Sequence, residues 1–289
     1  MARELVLIHG RAQEHKDAVK LKAEWVEAFR TGLVKSGLQV PVADTSIRFP
    51  YYGQALYDLV NKATDVAKII VRGDSVDREK EFFFEMLEEL RKQEGITDAQ
   101  IRAELDAVVV DRGPLNWEWV QGTLSALDKH VPGASKRSIA IATRDVYQYL
   151  FNPVIQKQID TGVRQALSSN EAVVVAHSLG TVVAYKLLKE QGKDNGWKVP
   201  LLVTLGSPLA VQAIKKKLMP HKHPEVVGEW FNAMDTRDVV SLYPLDQAHF
   251  PVDGIANKTD VDNHTKNRHG IAGYLDDATV ARRIHDALR

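Results

Sequence analysis

The chain is expected to fold as an α/β domain built on a mostly parallel sheet. Three observations predict it. Short runs such as Leu5-Val-Leu-Ile8, Ala172-Val-Val-Val-Ala176 and Val199-Pro-Leu-Leu-Val-Thr-Leu205 are apolar almost throughout, which marks strands buried on both faces. Segments of helical spacing separate them, and strands alternating with helices form a parallel sheet covered by helices on both faces. There is also no internal repeat and no low-complexity tract to suggest another architecture.

Composition narrows the class. A chain of 289 residues can bury a large core, as one big domain or two small ones. The hydrophobic fraction of 44% is ordinary for a soluble globular protein. Lysine and arginine (38) balance aspartate and glutamate (38), so net charge gives no drive toward nucleic acid or an acidic membrane. With no cysteine there is no disulfide scaffold and no thiolate metal site. Leu5–Ile8 is too short for a signal-peptide core. No apolar run approaches the roughly 20 residues that span a bilayer. The expectation is a soluble cytoplasmic protein without a transmembrane segment.

Taken in order, Glu4–Ile8 reads as a first strand ending in His9-Gly10. A helix follows from about Asp17 to Lys35, because Leu21, Trp25, Phe29 and Leu33 recur at spacing four and share one face. Gly37 stops it. Leu38 to Val40 with Val42 reads as a weaker strand. Ile47 to Gly53 is a loop with three clustered aromatics, which either lines a pocket or covers the sheet edge. From about Asp74 to Asp128 buried-strand signals vanish. Arg78–Gly95 is an amphipathic helix, and Thr97–Val110 another, with Thr97 as cap and Gln100 at the capping-box position. The 74–150 block is expected to be a helical insertion or cap in a single domain spanning 1–289, or else a plain helical layer of it. Ser138–Thr143 is a strand or a helix start, and Val154–Leu167 is a helix with Ile155, Ile159, Val163 and Leu167 inward. Beyond Val199–Leu205, Trp230–Met234 is a strand, Ala248–Asn267 a long polar loop and Thr279–Leu288 the closing helix.

The run ending at Ala176 leads straight into His177-Ser178-Leu179-Gly180-Thr181, and a helical segment continues to Glu190. A serine hydroxyl is a weak nucleophile that needs a base beside it and clear access for substrate. A tight strand-to-helix turn gives that access but brings strand and helix so close that the residues two before and two after must be small. They are Ala176 and Gly180, one methyl away from the Gly-x-Ser-x-Gly nucleophile elbow. The helix N-terminus also offers free N–H groups to a developing anion. The bland alternative is that Ser178 merely caps a helix.

Ligands of open parallel sheets bind beyond the carboxyl ends of the strands. His9-Gly10, Ser178 and Asp238 follow strands there, and His269 lies in a later loop. Ser, acid, His is the chain order of an α/β-hydrolase triad. On the elbow at 176–181, His9-Gly10, the Thr-Leu-Gly-Ser-Pro run at 204–208, the Asp238-Val239-Val240 step and His269, the sequence resembles an α/β-hydrolase of the lipase/esterase kind. The resemblance reaches both ends of the chain but not 74–150. It implies the α/β-hydrolase fold and a serine hydrolase that cleaves an ester or related acyl bond through an acyl-enzyme. Ser178 would be the nucleophile, His269 the base and Asp238 the residue that orients it. The oxyanion hole would use the backbone N–H of Leu179 and one near Gly10 or Arg11.

Rivals remain open. Asp235 also follows the strand, and Asp238 is preferred because Val239-Val240 would anchor its loop. His264 and, more remotely, His249 compete with His269, which is favoured because Gly270 and Gly273 give a mobile, compact turn and Tyr274 packs under it. His9 and His177 are read as structural. His221 and His223 fit exposed surface rather than a metal, and Lys215–Lys217 the charged end of a helix. Asp260, Asp262 and Asn263 lack the glycine and glutamate of an EF-hand. No nucleotide-binding glycine motif occurs. No metal or organic cofactor is expected. The partner is a small-molecule or lipid-like acyl substrate, with acyl transfer to another alcohol equally served by these residues. From a different class, a hydrolase-like protein without catalysis, acting in binding or regulation, is the alternative.

Overall fold

The computed structural model describes residues 3–10, 16–54, 77–105, 111–113 and 116–289. Among them six strands make one all-parallel sheet: β1 (Glu4–Ile8), β2 (Ile47–Arg48), β3 (Glu171–His177), β4 (Lys198–Leu205), β5 (Val227–Ala233) and β6 (Ile255–Lys258). Their order is β2-β1-β3-β4-β5-β6. The chain therefore steps outward from β1 to β2, returns to the other side of β1, and proceeds outward again. The reversal falls between β1 and β3, and open α/β sheets bind ligands outside the strand ends at such a switch point.

Each strand feeds two cores. Leu5 and Leu7 of β1, with Val173 and Val175 of β3, join one buried cluster, whereas Val6, Ile8, Val174 and Ala176 join the other. That is why the strands read as continuous apolar runs. The first cluster is closed by α1 (Ala18–Val34), α9 (Ile271–Leu275) and α10 (Ala278–Leu288), through Trp25, Phe29, Leu275 and Ile284. Asp17 caps α1 by accepting the N–H groups of Val19 and Lys20 at 2.8 and 2.9 Å. The second cluster is closed by α2 (Asp77–Gln93), α4 (Trp117–His130), α5 (Lys136–Phe151), α6 (Pro153–Ala166) and α7 (Leu179–Gln191). The short helices α3 (Asp98–Arg102) and α8 (Gln212–Lys215) complete the set. The described part of the 74–150 block shares a core with the sheet: Phe83, Trp119 and Tyr149 belong to the same buried cluster as Val6 and Val174.

Several expectations change. Leu38–Val42 is not a strand. Pro41 has no N–H to give a ladder, and the sheet edge is instead Ile47–Arg48, within the expected aromatic loop. The polar stretch 248–267 contains β6, whose burial is slight because it lies at the opposite edge. Ser138–Thr143 lies inside α5, started by Ser135, whose hydroxyl accepts the Ser138 N–H at 3.0 Å. The helix expected over 97–110 has its Thr97–Gln100 capping box, but α3 ends at Arg102 and residues 106–110 lie outside the described residues. No helix among the described residues is long and apolar enough to cross a membrane.

The helical layer carries a stability prediction. Ile159 of α6 is completely buried among these residues. Ile159→Ala is expected to destabilise the fold by about 2–5 kcal/mol, read as a lower midpoint in urea denaturation.

Candidate active site

Ser178 stands between β3 and α7 with φ 56° and ψ −130°, a backbone conformation costly to a residue with a side chain. The surrounding contacts enforce it. Its N–H is held by the Leu205 carbonyl at 3.0 Å, and its own carbonyl accepts from the Thr181 N–H at 2.9 Å and the Thr181 hydroxyl at 2.7 Å. A side chain at Gly180 would place its Cβ 2.5 Å from the Ile8 carbonyl and 2.6 Å from that of His9. Only glycine lets α7 start this close to β1. A Cβ at Gly10 would stand 2.7 Å from that of Ser178. The turns after β1 and β3 therefore meet at the serine. Leu179 is the first residue of α7, so its N–H belongs to the free donors of that helix end. Gly10 lies against Ser178, and Arg11 lies outside the described residues.

Asp238 and His269 come together from two loops. Asp238 is buried, and its Oδ2 accepts from His269 Nδ1 at 2.7 Å and from the Tyr274 hydroxyl at 2.6 Å. Its Oδ1 accepts the Val240 N–H at 2.9 Å, turning the loop back toward the carboxylate. With Nδ1 committed to Asp238, His269 keeps Nε2 for other chemistry. The rivals have other work. The Asp235 carboxylate accepts the N–H groups of Arg237 at 2.8 Å and Asn263 at 2.9 Å, tying two loops together. His264 is exposed and lies 3.6 Å from Asp276, while His249 faces Asp246 at 2.7 Å.

The two flanking histidines are buried and bonded. His177 Nε2 donates to the carbonyl of His269 at 2.8 Å, fixing that residue's backbone. Burial, and then the neighbouring His269, lower the pKa of His177 to about 3. His9 donates from Nδ1 to the Gly10 carbonyl at 2.6 Å and accepts the Tyr52 N–H at Nε2 at 3.0 Å. Burial lowers its pKa to about 4. Both are therefore neutral at pH 7. Burial, reinforced by the charge of Asp238, raises the Tyr274 pKa, so its hydroxyl keeps the proton it donates.

Ser178 and His269 line one cavity of about 80 Å³. Its walls include Leu87 and Leu90 of α2, Ile139 and Val146 of α5, and Val211. Among the described residues no hydrogen bond joins the Ser178 hydroxyl to His269. Two partnerships were not readable in sequence. Tyr274 was expected only to pack beneath the His269 turn. Ser207 was marked only by its Gly-Ser-Pro run, and its hydroxyl pairs with that of Thr181 at 2.8 Å, tying the turn after β4 to the start of α7. Among the described residues no group of three or more acidic or histidine side chains is placed to hold a metal ion.

No protein-family model matches this chain, and searches of curated proteins and of solved structures find no match either.

Two outcomes test this geometry. His9 and His177 have folded pKa values of about 4 and about 3, against about 6.5 unfolded. Above pH 6.5 neither histidine contributes. As pH falls below it the unfolded chain takes up protons that the folded chain refuses, so stability declines, by about 1.4 kcal/mol per pH unit for each histidine. Urea midpoints measured from pH 7 to pH 4.5 are expected to fall accordingly, with a shallower slope in His177→Gln. Tyr274→Phe is expected to cost about 1.5–3 kcal/mol in the same assay, because it removes a donor from a buried carboxylate.

Proposed function

We propose that this chain is a serine hydrolase of the α/β-hydrolase kind, cleaving a carboxylic ester or related acyl bond. The observation that carries the reading is a strained, cavity-lining Ser178 in the same cavity as a histidine whose far nitrogen is held by a buried aspartate. Ser178 Oγ attacks the substrate carbonyl carbon while His269 Nε2 takes its proton. Asp238 holds the imidazole in the tautomer that leaves Nε2 free and stabilises the imidazolium. The oxyanion of the tetrahedral intermediate is received by the Leu179 N–H at the start of α7, with a second donor from the turn after β1. The intermediate collapses, the C–O bond to the alcohol breaks, and His269 returns the proton to the departing oxygen. Water then attacks the acyl-enzyme by the same route, freeing the acid and restoring Ser178. These steps use side chains, backbone N–H groups and water. An alcohol in place of water would give acyl transfer with the same residues.

The unmade Ser178–His269 hydrogen bond is the observation that favours the second reading, a hydrolase-like protein that binds without catalysing. One experiment separates the two. Intact-mass spectrometry after fluorophosphonate treatment is expected to give a single adduct on wild type and none on Ser178→Ala. Folded wild type that stays unmodified would favour the binding reading. Once an ester substrate is in hand, Asp238→Asn is expected to lower kcat by about 10⁴-fold.

A further inference from the structure

The walls of the Ser178 cavity carry a substrate-size inference that rests on the reading above. Leu87 and Leu90 are 2% and 5% exposed, Val146 5% and Val211 1%. They belong to the same buried cluster as the sheet, so they serve as protein core on one side and cavity wall on the other. Interiors pack at crystal-like density and resist insertion of extra methylenes. A longer ligand chain cannot be accommodated by moving these residues without disturbing the helical layer. The volume of about 80 Å³ is roughly half of the ~150 Å³ that admits benzene in an engineered apolar cavity. It suits a chain of three or four carbons. At the other end Ser138 and Asn267 are exposed and Ser135 is half-buried, so the mouth is polar. Asn267 there stands beside His269, whose backbone N–H donates to the Asn267 side-chain oxygen at 3.3 Å.

We propose that the Ser178 site selects esters of short acyl chains, of about butyryl size, with the alcohol portion lying at the polar mouth. The p-nitrophenyl esters of acetate, butyrate, octanoate and laurate test this, with fluorophosphonate labelling of Ser178 run in parallel. The expected result is a kcat/KM that peaks at butyrate and is at least tenfold lower at octanoate. Leu90→Ala, which lengthens the cavity, is expected to move the peak toward octanoate. Ala142→Leu, at a half-buried wall position, narrows it without opening the core and is expected to lower butyrate turnover at least tenfold more than acetate turnover. A kcat/KM that is level or rising through laurate, with Ser178 labelled, overturns the size inference and leaves the hydrolase reading intact. So does labelling of Ser178 with no ester cleaved. If Ser178 is neither labelled nor active on any ester, the hydrolase reading falls first and the size inference with it.

Discussion

The rest of the site depends on how closely α7 approaches the end of β1. Gly180 lies where any Cβ would be about 2.5 Å from two consecutive carbonyl oxygens, those of Ile8 and His9. This closeness leaves the chain no gradual path from β3 into the helix, so the single residue between them takes up the whole change of direction. That residue is Ser178, and its positive φ follows from the constraint. The strain needs an over-determined frame to persist. The frame is present in the Leu205 carbonyl bond, the Thr181 contacts and the neighbouring Ser207 hydroxyl. The parallel pairing of β3 with both β1 and β4 puts all three strand ends within reach of the turn.

Charge is handled by enclosure. Asp238 is buried, and a buried carboxylate is tolerable only where donors satisfy it. Its three donors come from a backbone amide, an imidazole and a phenol. Buried His177 nearby stays neutral, so it adds no positive charge to compete with His269 for the carboxylate. His177 instead lends a single N–H to the backbone carbonyl of His269. The result is that, of His9, His177 and His269, it is His269 that has a carboxylate partner.

What the sequence made legible follows the same physics. Strands covered on both faces announce themselves as apolar runs, so β1, β3, β4 and β5 stand out, and so does the small–Ser–small pattern after β3. The edges do not. β2 has two residues, and β6 contributes only Ile255 and the small Ala256 as apolar side chains, because an edge strand has less to bury. Leu38–Val42 has the apolar spacing of a strand, yet Pro41 denies it a ladder. Residue order alone does not decide between Asp235 and Asp238, which are 1% and 2% exposed. Loop geometry separates them: Asn263 and Arg237 occupy one, while Tyr274 and His269 occupy the other. Such pairings depend on where two distant loops cross, which no local pattern encodes.

Tyr274 also joins the site to the far face of the sheet. It sits in α9, which packs on α1 so tightly that a Cβ at Gly32 would lie 2.5 Å from the Leu275 carbonyl. The ring is fully buried in the cluster that α1 and α10 close, and its hydroxyl reaches through to Asp238 while accepting the Asp235 N–H at 3.3 Å. The orientation of the carboxylate is thereby tied to the docking of helices on one face, while the cavity wall belongs to the helical layer on the other. The sheet separates the two functions. Looser packing of α9 would disturb the Asp238–His269 pair, whereas a cavity mutation on α2 or α5 would change the space beside Ser178 without touching the carboxylate. The setting of Asp238 is therefore anchored in one core, and the apolar part of the cavity wall in the other.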